Sequence, residues 1–203
     1  MDGALRVRAT VVARLGTSAG ERIATLPPVR GECARQQGTD MTTTRVMVLV
    51  GILAAVYVLA TGSMLPDVVA SHFRAGGAAD GAMSRGGYLA LMIGITSVLP
   101  LLLVAPMRLI ARVPDGLLSL PNKHYWLAPE REAQTRAWLV DQSAVFGILL
   151  SVFLCYVHTL VVRAHATSPP HLDERLMTVG MVAFGLFAAA WLVRYVLHFR
   201  LPR

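Results

Sequence analysis

Four long apolar stretches separated by polar turns organise the chain: Val46–Leu65, Tyr88–Met107, Trp138–Val162 and Leu176–Phe199. Each covers about 20 residues or more, and at about 1.5 Å of rise per residue a helix of that length crosses a hydrocarbon core of about 30 Å. Val46–Ala60 carries no charge at all. Backbone groups in lipid must satisfy one another, so these stretches read as helices; nothing alternates in short strands as the wall of a barrel does. The pattern predicts an all-α, polytopic membrane protein with four transmembrane helices over 41–203.

Residues 1–40 lack the continuous apolar core of a signal peptide, Ala9–Ala13 being too short. They are expected to be a disordered tail or an over-extended start. Met41-Thr42-Thr43-Thr44-Arg45 opens straight into the first stretch and reads as the natural beginning.

Composition strengthens the membrane reading, since 55% hydrophobic and 15% charged residues are too apolar for an ordinary soluble domain. A net charge of +7 would suggest nucleic acid in a soluble chain, but here its distribution reports orientation. Fifteen of the 19 Lys and Arg fall in the tail, the middle loop with its flanks and the C-terminal end, against four in the first and third loops. Both termini and the middle loop are therefore expected to be cytoplasmic, with loops one and three outside. Cys33 and Cys155 make no disulfide framework.

The first loop is the main candidate for chemistry. Leu65-Pro66, His72-Phe73, Gly76, Asp80-Gly81 and Ser84-Arg85 form a spaced pattern, with glycines that let it fold back on itself. Asp80-Gly81 reads as a turn. His72 and Asp80 are expected to satisfy loop backbone groups rather than to bind metal, for which two ligands eight residues apart are too few.

This pattern, placed just after a first span, resembles a widespread bacterial membrane domain of unknown function. That domain also forms the N-terminal part of the Sdp-type toxin-immunity membrane proteins. The likeness covers about 46–107, with Ala82 where the family commonly has an aromatic and Arg85 where it usually has lysine. The segment Pro121-Asn122-Lys123-His124-Tyr125-Trp126-Leu127-Ala128-Pro129-Glu130-Arg131 is similar to stand-alone members, which often carry Asp at the position of His124. The C-terminal part typical of the immunity proteins has no evident counterpart. The resemblance implies the bacterial inner (cytoplasmic) membrane and a sensor, immunity-type or regulatory role.

In the middle loop, Pro121, Asn122, Lys123, Tyr125, Trp126, Pro129, Glu130 and Arg131 suit an interfacial belt, with aromatics at headgroup depth and cations toward phosphates. The sharper alternative is a docking strip for a cytoplasmic partner or lipid headgroup. Pro129 and Glu130 suit the start of a long helix running to Val162. Pro100 and Pro106 are expected to kink the second span, Pro106 near its inner end.

Three ionisable groups fall within the spans: Asp141, His158 and Arg194. Such groups are expensive in lipid and normally face the bundle or an interface. Asp141 and Arg194 belong at similar depth and are expected to pair as a structural clasp, with Arg108 a competing partner. His158 lies about 25 Å farther along and is expected to face the headgroups or to bond across the bundle. Gly51 with Ala55, and Gly185 with Ala189, suit close helix packing within the bundle or in a homo-oligomer.

No HExxH, phosphate loop, nucleophile elbow or dense Cys/His set is present, so neither catalytic residues nor a cofactor nor a metal site is expected. The expected partners are the bilayer, a peptide, lipid or cell-wall ligand outside, and a protein within; nucleic acid is not. The rival to sensing is a small oligomeric transporter or channel component using Asp141 and Arg194. A receptor should depend on His72 or Asp80 and tolerate loss of Asp141, and a transporter should do the reverse.

Overall fold

A computed structural model of the chain describes residues 30–109 and 113–200, with the side chains of 30–44, Arg108 and Asp115 excepted. The chain divides into two compact units, Met1–Gly31 and Glu32–Arg203, and the second holds both strands and every long apolar helical stretch. The expectation for a tail over 1–40 lies outside the described residues as far as residue 29, and the backbone is helical from Arg30.

Helix α1 spans Arg30–Gly62. Two strands follow, β1 over Val68–Phe73 and β2 over Ala79–Ser84. A second long helical segment is built from α2 (Arg85–Ile93), a π turn (Gly94–Val98) and α3 (Leu99–Leu109). A short α4 (Lys123–Trp126) precedes α5 (Glu132–Ala164) and α6 (Glu174–Arg200). Four segments, Arg45–Gly62, Arg85–Met107, Glu132–Ala164 and Glu174–Arg200, are long and apolar enough to cross a membrane.

The first loop corrects the all-α expectation. It folds as an antiparallel hairpin in which Val69 faces Met83 and Ala70 faces Ala82. Asp80-Gly81 does not turn the chain, because both residues lie within β2. The reversal occurs at Gly76 and Gly77, whose φ of 91° and 77° lie in the left-handed region that favours glycine. Irregularities on either side of His72 leave Ser71 and Asp80 out of the register, as a bulge does.

The second long helix bends as its prolines require, but the distortion lies before Pro100. Pro100 has no N–H to donate to the carbonyl of Thr96, and the turn preceding it widens so that the Leu99 N–H reaches Gly94. The Thr96 hydroxyl, fully buried, donates to the Met92 carbonyl at 2.7 Å. Pro106 sits inside α3, which continues to Leu109.

Packing joins α1, the second helix and α5. Met47, Val104 and Ala144 bury one another at one end, and Val58, Leu65, Val69, Tyr88, Met92 and Val161 at the hairpin end. Gly51 lets α1 approach the second helix, since a Cβ there would stand 3.6 Å from the Ser97 carbonyl. On α6 the close approach falls at Gly180, against the Tyr156 ring, and Gly185 meets open space.

Helix α6 stands apart from this core. None of its most apolar stretch is buried inside the protein, against 28–33% in the other three long helices. It leans on α5 through aromatic rings, Phe184 on Phe146 and Phe153, and Trp191 on Phe146. Helix α5 begins at Glu132, three residues beyond Pro129, and Glu132 accepts a 2.8 Å ion-pair bond from Arg136 one turn on.

Candidate functional site

The hairpin is fastened to each of the long helices by particular side chains. At its base, Arg85 donates to the Leu65 carbonyl at 2.8 Å and pairs with Asp67 at 3.0 Å, while its backbone N–H bonds the Asp67 carbonyl. One arginine thus ties the end of α1 to the start of α2. Ser84 caps α2 by accepting from the Gly87 N–H at 3.2 Å. Leu65, buried, and Phe73, half-buried, pack into the core; Pro66 is exposed.

His165 ties β1 to the end of α5. Its Nδ1 lies 2.8 Å from the Val161 carbonyl, and its Nε2 lies 3.0 Å from the Ala70 N–H. A carbonyl only accepts and an N–H only donates, so Nδ1 carries the proton and Nε2 accepts. At the turn, the Gly77 carbonyl accepts from the Leu172 N–H at 2.8 Å, and the Gly76 N–H donates to the Glu174 carboxylate at the start of α6. A Cβ at Gly77 would lie 2.3 Å from the Leu172 carbonyl oxygen, so only glycine permits this contact.

Beneath the hairpin lies a buried polar network. His158 is fully buried, with Nε2 2.8 Å from the Thr61 hydroxyl and Nδ1 2.9 Å from the Tyr88 hydroxyl. Thr61 already donates to the Tyr57 carbonyl at 2.7 Å, so toward His158 it accepts. His158 therefore carries its proton on Nε2 and accepts from Tyr88 at Nδ1. Tyr57 in turn donates to Thr159 at 2.7 Å, because Thr159 donates to the Cys155 carbonyl. Every hydroxyl and ring nitrogen of these five residues is satisfied with the imidazole neutral, and three helices are joined.

Opposite ends of α6 are both held by polar contacts. At its C-terminus the last carbonyls have no partner within the helix. The Asn122 side-chain amide donates to the carbonyls of Phe199 and Arg200 at 3.0 and 3.1 Å, and the Trp126 indole to Phe199 at 3.1 Å. Asn122 adopts φ 52°, a conformation asparagine tolerates better than most residues. His198 stacks between Trp126 and Trp138, at ring separations of 4.9 and 4.0 Å. Arg131 lies over the Tyr125 ring at 4.1 Å.

The sequence-derived site residues distribute unevenly over this frame. Leu65, Phe73, Gly76 and Arg85 build or fasten the hairpin, and Gly81 lies close against His72. Contrary to expectation, among the described residues neither the His72 nor the Asp80 side chain bonds loop backbone. Both are exposed; His72 contacts the Ser71 hydroxyl at 3.1 Å, and backbone fastening falls to Arg85, His165 and Glu174.

Within the opposite loop, Asn122 and Trp126 serve α6, while Pro121, Pro129, Glu130 and Arg131 are exposed and Lys123 is half-buried. Trp126 thus spends its polar edge within the chain rather than on a partner. His158 bonds across the bundle. Asp141 is half-buried and has interactions of its own, whereas Arg194 is exposed; among the described residues no ion pair joins them. The Arg108 side chain lies outside the described residues.

Sequence reasoning missed His165, Glu174 and Tyr88. His165 stands seven residues beyond His158, two helical turns along the same face, and that repeat was a usable signal. No family model, curated protein or solved structure matches the chain.

Proposed function

We propose that the chain is a small sensor, immunity-type or regulatory protein of the bacterial inner membrane, whose hairpin faces outward and receives a ligand. The observation that carries this reading is the attachment of α6. It is fastened to the hairpin at Glu174 and, just before its first turn, at Leu172, and to the Asn122–Trp126 segment at Phe199 and Arg200. Between these ends it meets α5 through aromatic rings and the Trp191 indole, with none of its most apolar stretch buried. A lightly packed helix clamped at both ends can report a displacement of one loop at the other. The excess of Lys and Arg on the Asn122–Trp126 side supports placing that side in the cytoplasm. The resemblance of the hairpin sequence to the immunity-type membrane domain points the same way.

Backbone exchange in membrane vesicles tests the reading. Gly77→Ala inserts a methyl group where Leu172 stands and should loosen α6 at its first turn, raising amide exchange over residues 122–131 severalfold. Asp141→Asn should leave that exchange unchanged. An effect of Gly77→Ala confined to the hairpin, or a larger change from Asp141→Asn, overturns the proposal.

A further inference from the structure

The two edges of the hairpin are not equivalent. Across an antiparallel pair, residues that do not exchange hydrogen bonds point their N–H and C=O groups away from each other, to the outer edges. Ala70 faces Ala82, and the Ala70 N–H leaves the hairpin to reach His165. The Ala70–Ala82 pair is therefore of the unbonded kind, and Ala82 presents its N–H and C=O at the outer edge of β2. Val68–Ser84, two residues along, has the same character. It lies beside the bonded Asp67 and Arg85, whose N–H···O contact is 2.8 Å. The Ser84 C=O begins α2, which leaves its N–H directed outward. On the edge of β1 the Ala70 N–H is taken by His165 and Ala70 itself is buried, whereas the edge of β2 shows three backbone groups in a row on exposed residues.

The chain begins to cover this second edge and stops. His171 bridges Ala78 in antiparallel fashion, and Leu172 bonds Gly77, the first pairing of a third strand. Running back along β2, the next residues of that strand are Pro170 and Pro169, which have no N–H to give. Among the described residues no other backbone segment bonds to Ala82 or to the Ser84 N–H. Ala82, Ser84 and Asp80 are all exposed, and the first two are small enough to let another backbone approach. Asp80, out of register and exposed, stands two residues before Ala82 on the same strand and brings a carboxylate to this part of β2.

We propose that the outer edge of β2 is a docking site for an extended peptide segment of a partner. The segment adds an antiparallel strand that exchanges two hydrogen bonds with Ala82, accepts a third from Ser84, and places a basic residue beside Asp80. Backbone pairing supplies affinity, and the opposite charge fixes register. This rests on the hairpin being the ligand-facing element and names the class of its ligand.

The test uses the full chain in lipid nanodiscs and a capped hexapeptide of alternating threonine and valine with one central lysine, at millimolar concentration. Protection from amide exchange is expected at Ala82 and Ser84, with Val69, inside the hairpin, unchanged. N-methylation of the peptide at its pairing residues should weaken binding by about tenfold or more, the loss of about two hydrogen bonds. Asp80→Asn should weaken it about threefold. Ala82→Pro removes an outward N–H that the hairpin does not use, and should abolish binding while Val69 stays protected.

Absence of protection at Ala82, or equal binding of the N-methylated peptide, overturns the docking site. If Gly77→Ala still loosens residues 122–131 in that case, the sensor reading stands without it. If the peptide binds but Gly77→Ala acts only locally, the sensor reading fails and the docking site stands.

Discussion

His158 and His165 lie two turns apart on α5 and are held in opposite tautomers, one with its proton on Nε2 and the other on Nδ1. Each tautomer is dictated by what its partners can donate or accept, and each imidazole is satisfied while neutral. The energetic weight of such bonds is modest where the alternative partner is another polar group, about 0.6 kcal/mol on average between helices in a membrane. Leaving a buried acceptor empty costs more. Tyr88→Phe strands Nδ1 of His158 and should lower stability by about 1 kcal/mol, and His158→Ala, which also opens a cavity, by about 3 kcal/mol. Unfolding in mild detergent measures both, and two wild-type midpoints would show that the network holds nothing. His158 was legible as a residue that faces the headgroups or bonds across the bundle. Its partners were not, because Thr61 and Tyr88 are 97 and 70 residues away in sequence and only the packing of three helices brings them together.

At the scale of elements, the four long helices follow from length and apolarity alone, but the hairpin does not. Val68–Phe73 has the β-branched and aromatic content of a strand. Ala79–Ser84 lacks it and contains an Asp-Gly pair that locally favours a turn. Tertiary contacts decide the matter: Met83, opposite Val69, packs against the buried cluster at the hairpin end, and the Gly76-Gly77 reversal bonds to Leu172 and Glu174. The second element-level finding is the cap on α6. Asn122→Gly keeps the left-handed backbone but deletes the amide that serves Phe199 and Arg200. It should cost about 1 kcal/mol and raise exchange in the last turn of α6 severalfold. Exchange there equal to wild type would mean that Asn122 is needed only for its backbone. The motif 121–131 was visible in the sequence as aromatic, basic and proline-punctuated. That its indole and amide point at a helix end more than 70 residues later was not.

In the molecule as a whole, α6 is, among the described residues, the long helix with none of its most apolar stretch buried inside the protein, and it joins the hairpin to the 122–126 segment. Its clamped ends are separated by roughly 38 Å of helix. Contacts that far apart ordinarily act independently. If α6 instead moves as a body, its two clamps report on one equilibrium, and coupling between them must be reciprocal. The central claim is tested most directly by amide exchange read at both ends in the same reconstituted protein. Glu174→Ala should raise exchange at residues 122–126, and Trp126→Ala should raise exchange at Gly77 and Leu172 by a similar factor. Changes confined in each variant to the end that was altered would contradict it.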